Sequence, residues 1–318
     1  MHLLLVKTSS LGDVIHNLPV VSDLRRAFPD ATIDWCVEES FAEIPRLHPD
    51  VAEVIPVAIR RWRKHLGSMQ TWKEMRAFRH KIGTTAYDAV LDTQGLIKSG
   101  LICRLAYGTR YGYAAEVARE RHAARFYDKT FVIPPNAHAV VRNRWLGAAA
   151  FDYPVDFPLD YGIAAPEIDL PWLTAERHAV LLTATSRDDK LWPEEHWIAL
   201  GQSLKKRGLS PILPSGSAAE RARAERIAAA IPGAVVAPRL TLRELAALIG
   251  RATLAVGVDT GLAHLATALR VPTIALYVAT DPALTGVLGS GFFRNLGGIG
   301  LTPSVAEVLN AAEPIIRQ

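Results

Sequence analysis

The sequence contains few cysteines and no long apolar run. Only two of its 318 residues are cysteine, Cys36 and Cys103, and each stands alone, which excludes a disulfide framework and the paired spacing of a zinc site. A reducing compartment is therefore expected. No stretch stays apolar over the roughly 20 residues that a membrane-spanning helix needs. The first seven residues lack a basic stretch before their short apolar run, so no secretory signal is predicted.

Three motifs of common enzyme classes are also missing. The chain has no G-x-G-x-x-G turn of dinucleotide folds, no G-x-x-x-x-G-K phosphate loop and no G-x-S-x-G nucleophile turn. The last absence excludes a serine hydrolase of that type. A nicotinamide-dependent oxidoreductase stays open as an alternative on the α/β pattern alone, although its glycine fingerprint is absent.

The composition is that of a soluble enzyme with a large core, since 49% of the residues are apolar and 21% are charged. Short β-rich apolar runs alternate with helical patterns along the chain, which predicts an α/β protein with parallel sheets. Strands are predicted at residues 2–6, 32–37, 51–57, 89–92, 129–133, 179–183, 211–213, 234–236, 254–258 and 273–277. Helices are predicted at residues 14–27, 71–81 and 97–105.

The length and a proline-rich interruption predict two domains. Four prolines interrupt residues 151–172, and the linker is placed there. We expect one domain at residues 1–160, a second at 161–302, and a C-terminal helix at 303–318 that packs back on the first domain. Two parallel sheets with ligand-binding loops at the carboxyl ends of their strands are expected to face each other across a cleft.

The net charge of +4 is small, but basic residues are concentrated in one segment. Residues 60–81 contain eight basic side chains against the single acid Glu74, which creates a local positive field. A solvated helix face and a nucleic-acid-binding surface are the other interpretations, although no known nucleic-acid-binding motif accompanies the segment. The eight are Arg60, Arg61, Arg63, Lys64, Lys73, Arg76, Arg79 and Lys81.

Two loops at strand ends carry candidate chemistry in opposite halves of the chain. After the first strand, a polar turn containing Gly12 leads to Asp13 at a helix start, where the carboxylate either caps the helix or accepts a proton. After the strand at 179–183, Thr185 and Ser186 offer hydroxyls and Lys190 offers a positive charge to phosphate oxygens.

Further along the second half, residues 259–267 form a polar turn, a glycine and a small-residue helix. Thr260, Gly261 and Leu262 are expected to present backbone amides to a diphosphate, with His264 one turn further on. A plain capped helix is the alternative. The loop at 214–220 offers Glu220 to sugar hydroxyls, or else as a partner of the helix dipole. For the adjacent Asp188 and Asp189, surface ion pairing with neighbouring basic residues is favoured over a magnesium site.

Together these segments carry a resemblance to glycosyltransferase family 9, the heptosyltransferases of lipopolysaccharide synthesis, and within it to the type I enzymes. Other heptosyltransferases, of types II and III, remain the alternative. The matching segments follow in order along nearly the whole chain, at residues 6–16, 55–64, 87–98, 187–197 and 258–264.

The resemblance implies a GT-B fold of two Rossmann-like domains and an inverting reaction without a cofactor or metal. L-glycero-D-manno-heptose would move from ADP-heptose to the first Kdo of Kdo2-lipid A. Asp13 would be the general base and Lys190 would stabilise the leaving ADP. The donor would be bound by Thr185, Ser186, Lys190, Glu220, Asp259, Thr260, Gly261 and His264.

The same resemblance gives the basic segment a purpose, because the acceptor is acidic. The acceptor-binding residues would be Ser9, Ser10, Gly12, Arg60, Arg61, Arg63, Lys64 and Lys98. Arg119, Arg121 and Arg142 are further candidates. The enzyme is expected to lie peripherally on the cytoplasmic face of the inner membrane and to bind no nucleic acid. At residues 277–281 the sequence departs from the family pattern, so the resemblance does not say how that loop contacts the adenine.

Overall fold

The computed structural model describes residues 1–317. They form two compact α/β units, Met1–Gly162 and a second unit that begins at Ile163. The division falls in a segment without helix or strand, between Phe151 and His178. No helix among the described residues combines the length and the apolar character needed to cross a membrane.

The first unit is a six-stranded sheet in which every neighbouring pair of strands is parallel. The strand order is β3-β2-β1-β4-β5-β6. Its strands are β1 (His2–Val6), β2 (Thr32–Glu38), β3 (Glu53–Val57), β4 (Ala86–Asp92), β5 (Tyr107–Tyr113) and β6 (Lys129–Phe131). Its helices are α1 (Leu11–Ile15), α2 (Leu18–Ala27), α3 (Ile59–Lys64), α4 (Met69–Thr84), α5 (Ile97–Cys103) and α6 (Ala139–Phe151), and three short 3₁₀ helices lie at Glu39–Phe41, Pro45–Leu47 and Arg121–Phe126.

The second unit repeats this arrangement with its own parallel sheet, in the order β12-β11-β10-β7-β8-β9. Its strands are β7 (His178–Leu182), β8 (Ser210–Leu213), β9 (Val235–Val236), β10 (Leu254–Val258), β11 (Thr273–Tyr277) and β12 (Phe293–Gly297). Its helices are α7 (Glu194–Lys206), α8 (Ala218–Ala229), α9 (Leu242–Gly250), α10 (Gly261–Ala268), α11 (Pro282–Thr285) and α12 (Val305–Ile316), with a 3₁₀ turn at Asp188–Lys190.

Both sheets have the doubly wound strand order. Counted within its own unit, each reads 3-2-1-4-5-6, the order of dinucleotide-binding folds. The direction of winding reverses between β1 and β4 in the first unit and between β7 and β10 in the second. Ligands of such sheets bind beyond the carboxyl ends of the strands at this switch point. The strand order therefore marks one candidate site in each unit.

The C-terminal helix α12 packs within the second unit. Its side chains Val308, Ala312 and Ile316 join the buried cluster that also contains Trp192 and Trp197. The expected packing of residues 303–318 on the first domain stays a prediction, and Gln318 lies outside the described residues.

The structure departs from the expected elements at α1 and α2 and at two half-exposed strands. The helix predicted at 14–27 is divided, because Pro19 lies in the first turn of α2 and has no amide to continue a helix from α1. β5 and β12 were not among the predicted strands. Both are partly exposed and interrupted by glycine or polar residues, so neither shows a buried apolar run.

Candidate active site

The first candidate site lies where β1 and β4 end. After its first residue, His2, β1 is a continuous and buried apolar run, as strands of parallel sheets are. It leads into residues 7–10, and β4 leads into residues 93–98. Gln94 joins the two segments, since its Oε1 accepts hydrogen bonds from the amides of Thr8 and Ser9 at 2.9 and 3.1 Å.

Asp13 lies in this site with one carboxylate oxygen occupied and the other free. Oδ2 accepts from the Ser10 amide at 2.8 Å, from the Ser10 hydroxyl at 3.1 Å and from Nη1 of Arg119 at 3.3 Å. Oδ1 has no hydrogen-bond partner within residues 1–317. The side chain is 20% exposed. The capping role is therefore present in the structure, and it leaves one oxygen of Asp13 able to accept a proton.

The pKa of the Asp13 carboxyl is set by opposing effects. Burial raises the pKa, but the positive charges of Lys7 and Arg119 and the hydrogen bond from the Ser10 amide bring it below its usual value. Asp13 is therefore ionised at neutral pH.

Lys7 is a buried cation next to this carboxylate. Its side chain is only 5% exposed, and its Nζ donates to the Thr93 carbonyl at 2.7 Å and to Oδ1 of Asn143 at 3.3 Å. Burial lowers the pKa of Lys7 to about 8, while the charge of Asp13 opposes that change. Lys7 was not singled out from the sequence. A lysine directly after a buried apolar run is the signal that marks it, because such a position buries the charge.

The predicted acceptor residues near β1 come together. Nζ of Lys98 donates to the Ser9 hydroxyl at 2.9 Å. Burial lowers the pKa of Lys98, and the charge of Arg60 lowers it further. The amide and hydroxyl of Ser10 both donate to Asp13. The Gly12 carbonyl accepts from the His16 amide within the turn of α1.

The basic residues of α3 divide into free and paired ones. The Arg60 guanidinium lies 5.2 Å from the centre of the Phe41 ring, a cation–π contact. Arg61 is held by Glu39 through two hydrogen bonds of 2.9 Å and by Glu74 at 2.8 Å. Arg63 and Lys64 are exposed and form no ion pair with any described residue. Acceptor binding by these four residues stays a prediction.

The second candidate site lies where β7 and β10 end, and its centre is Asp259. Oδ2 of Asp259 accepts from Nζ of Lys190 at 2.6 Å and from the Thr280 hydroxyl at 2.8 Å. The Asp259 carbonyl accepts from the Thr185 hydroxyl at 2.9 Å. Three loops thus converge on one residue. Thr280 was not predicted, because its contact with Asp259 depends on the neighbouring positions of β10 and β11.

The helix α10 begins at the same edge. Thr260 is its N-cap residue and Gly261 its first residue. The amides of Gly261 and Leu262 have no hydrogen-bond partner in the described chain, so they are available to an anion, as helix N-termini commonly are. His264 is buried one turn further along, and Ser186 is exposed on the loop after β7.

Two predicted polar residues have structural partners. Oε2 of Glu220 accepts from the amides of Gly216 and Ser217, at 2.7 and 3.1 Å, which closes the capping box of α8. Its contact with a ribose stays a prediction. Asp189 forms an ion pair with Arg187, as expected from their neighbouring positions. No cluster of metal-binding side chains occurs within residues 1–317.

Comparison with known proteins identifies the family of this chain. The family model described as glycosyltransferase family 9 (heptosyltransferase) matches residues 75–305. The chain belongs to glycosyltransferase family 9. The family assignment predicted from the sequence is therefore confirmed, and with it the enzyme class.

Curated relatives agree with the family 9 assignment. Proteins named lipopolysaccharide heptosyltransferase 1 are 46% identical in Pseudomonas aeruginosa, over 91% of this chain and 82% of the relative. In Salmonella typhimurium the identity is 45%, over 91% and 92%. In Escherichia coli K12 it is 44%, over 91% of both.

Solved structures of this family show the same fold. The E. coli heptosyltransferase WaaC with ADP is 41% identical, with a TM-score of 0.91 over 99% of this chain and all of that one. WaaC with ADP-2-deoxy-2-fluoro heptose is 40% identical, with a TM-score of 0.86 over 100% of this chain and 99% of that one. The predicted fold class, GT-B with two Rossmann-like domains, is confirmed.

Proposed function

We propose that this family 9 chain is an inverting heptosyltransferase of type I. It transfers L-glycero-D-manno-heptose from ADP-heptose to the first Kdo of Kdo2-lipid A, without a cofactor or metal. The support is the 44–46% identity to relatives named lipopolysaccharide heptosyltransferase 1 and the similarity to WaaC solved with ADP and with a fluorinated ADP-heptose.

Asp13 is the general base of the proposed reaction. The observation that carries this role is that all three of its hydrogen bonds end on Oδ2, so Oδ1 can accept the proton of the acceptor hydroxyl. As that proton leaves, the hydroxyl oxygen bonds to the anomeric carbon from the face opposite ADP, and the bond to the ADP phosphate oxygen breaks with its electron pair. A carboxylate of low pKa is a weak base, so its fixed position matters more than its basicity.

The donor is held by the second site. Lys190, Thr185 and Ser186, with the free amides of Gly261 and Leu262, meet the diphosphate of ADP-heptose. Asp259 holds Lys190 in place before the donor arrives, so little reorganisation is needed as negative charge develops on the leaving ADP. Thr260 and His264 complete the diphosphate and heptose contacts, and Glu220 meets the ribose.

The acceptor is held by the first site. Ser9, Ser10 and Gly12 line the approach to Asp13. Kdo carries a carboxylate and lipid A carries phosphates. The guanidinium and ammonium groups of α3 and Lys98 are of opposite charge and can bind these anions. Because this acceptor is a lipid, we place the enzyme peripherally at the cytoplasmic face of the inner membrane. No nucleic acid is part of the proposed function.

The test compares Asp13→Asn with the parent chain and with Asp30→Asn, which changes an exposed acid of the same unit. Release of ADP from ADP-heptose in the presence of Kdo2-lipid A is measured together with the affinity for ADP. We expect Asp13→Asn to lower kcat by about 10²–10⁴-fold with ADP affinity retained, and Asp30→Asn to behave as the parent. Comparable turnover by Asp13→Asn would remove Asp13 from the mechanism.

The acceptor assignment has a separate test. Kdo2-lipid A and a monoheptosylated acceptor are offered side by side, each with ADP-heptose. Transfer to the first alone supports a type I enzyme, whereas transfer to the second alone identifies another heptosyltransferase type.

A further inference from the structure

An open apolar groove lies on the first unit beside α3, α4 and α5. Its volume is about 570 Å³, and Trp62, Phe78 and Ile102 of the hydrophobic core form part of its lining. Large apolar side chains that are each more than half exposed also line it: Leu66, Trp72 and Leu101. Exposed apolar area of this kind marks an interaction surface more often than a free one.

A second, polar cavity of about 590 Å³ adjoins the groove. The two cavities share Arg76, Arg79 and Leu105, and the polar one adds His80 and Arg104. No aspartate or glutamate lines either cavity. An apolar groove therefore continues into a pocket whose charges are all positive, an arrangement that matches an amphiphile with an anionic head.

One face of α4 carries both properties. Met69, Trp72, Arg76 and Arg79 follow one another at intervals of three, four and three residues, which places them on a single helix face. The buried residues of α4, among them Phe78, lie on another face. Met69 is 75% exposed and Trp72 is 55% exposed, so this face points apolar and cationic groups to solvent together.

The cations of this face are unpaired, unlike others in the same segment. Arg61 is bound to Glu39 and Glu74, and Lys81 is bound to Glu53 at 2.8 Å. Five other basic residues of the segment form no ion pair within the described chain: Arg63, Lys64, Lys73, Arg76 and Arg79. Their charge is available to an external anion.

We infer that this face docks on an anionic phospholipid bilayer. Met69, Trp72, Leu66 and Leu101 enter the boundary between head groups and acyl chains, and the arginines of the polar cavity bind lipid phosphates. Interfacial helices combine exposed tryptophan and leucine with lysine and arginine in this way, and the absence of acids from both cavities gives the charge complementarity. The inference rests on the proposed peripheral location and names the surface responsible for it.

The docking face is continuous with the first candidate site. Lys98 lines the groove and also donates to Ser9 beside Asp13. Docking therefore brings the acceptor-binding loop to the surface in which a lipid acceptor lies.

The experiment measures flotation of the full chain with vesicles of phosphatidylcholine, with and without phosphatidylglycerol. We expect binding only to the anionic vesicles, and we expect it to weaken as salt rises. Arg76→Gln/Arg79→Gln should lower the partition coefficient about thirtyfold, and Trp72→Gln should lower it about tenfold. The matched controls Arg239→Gln/Arg243→Gln and Ile299→Gln change exposed residues of the second unit and should bind as the parent does.

Three results would overturn the inference: equal binding to both kinds of vesicle, unchanged binding of the α4 variants relative to the controls, or binding that requires Kdo2-lipid A in the vesicle. The third would assign the groove to the acceptor's own acyl chains. Transfer to a deacylated, water-soluble acceptor is measured in parallel. If docking fails while this transfer persists, only the inference fails. If the parent protein does not transfer heptose, the proposed function fails whatever the vesicles show.

Discussion

Replacing Lys7 with methionine is expected to change how stability depends on pH. Burial lowers the pKa of this side chain from 10.5 to about 8 in the folded protein. In the unfolded chain the amine regains its ordinary pKa, so between pH 8 and pH 10.5 the unfolded state binds more protons than the folded state. The contribution of Lys7 to the free energy of unfolding therefore rises with pH across this interval.

The size of the effect follows from the same numbers. A difference of 2.5 between the two pKa values corresponds to about 3 kcal/mol. Below pH 8 the charged amine imposes this full cost on the folded state, and above pH 10.5 it imposes none. The stability of Lys7→Met relative to the parent should therefore be about 3 kcal/mol more favourable at pH 7 than at pH 11.

Urea denaturation at a series of pH values measures this difference. Lys73→Met, which changes an exposed lysine of α4, is the control, and its difference from the parent should be the same at both ends of the range. A Lys7→Met difference that does not vary with pH would refute the reasoning. The variant also loses the positive charge that lowers the pKa of Asp13 most. The pKa of Asp13 should therefore rise, and the acidic limb of the kcat/KM profile should move to higher pH.

Two further predictions concern charge pairs. Lys190→Met should lower kcat by about 10²-fold, and steady-state ADP release measures it; a kcat equal to the parent's would exclude Lys190 from stabilising the leaving group. Arg144 forms hydrogen bonds of 2.6 and 3.0 Å to the buried carboxylate of Asp23. Arg144→Met leaves that charge unpaired and should cost about 3–5 kcal/mol of unfolding free energy, measured by denaturation; a loss below 1 kcal/mol would contradict this account.

The buried strands could be predicted from the sequence because each is a short run of apolar residues. β1, β10 and β11 have the predicted bounds. β5 could not be found in this way, since its sequence alternates tyrosine with glycine and polar residues and only its last two residues are buried. Its place in the sheet depends on pairing with β4, which is a contact between distant parts of the chain.

The candidate sites were only partly predictable for the same reason. Asp259 directly follows β10, and Asp13 and Lys190 lie in the first turns after β1 and β7, so position along the chain was enough to select them. The roles of Gln94 and Thr280 come from hydrogen bonds to a neighbouring strand's loop, and these depend on strand order. The pairing of Arg61 with two glutamates likewise required the packing of α3.

The repetition of one strand order in two separate sheets has a consequence for engineering. Because neither sheet borrows a strand from the other, each half carries its own hydrogen-bonded framework and its own loops at the strand ends. If the first unit binds the acceptor and the second the donor, as we propose, the two preferences can be exchanged separately. A chimera that joins residues 1–162 to the matching second half of a family member with another donor should change the sugar transferred while still modifying the same lipid.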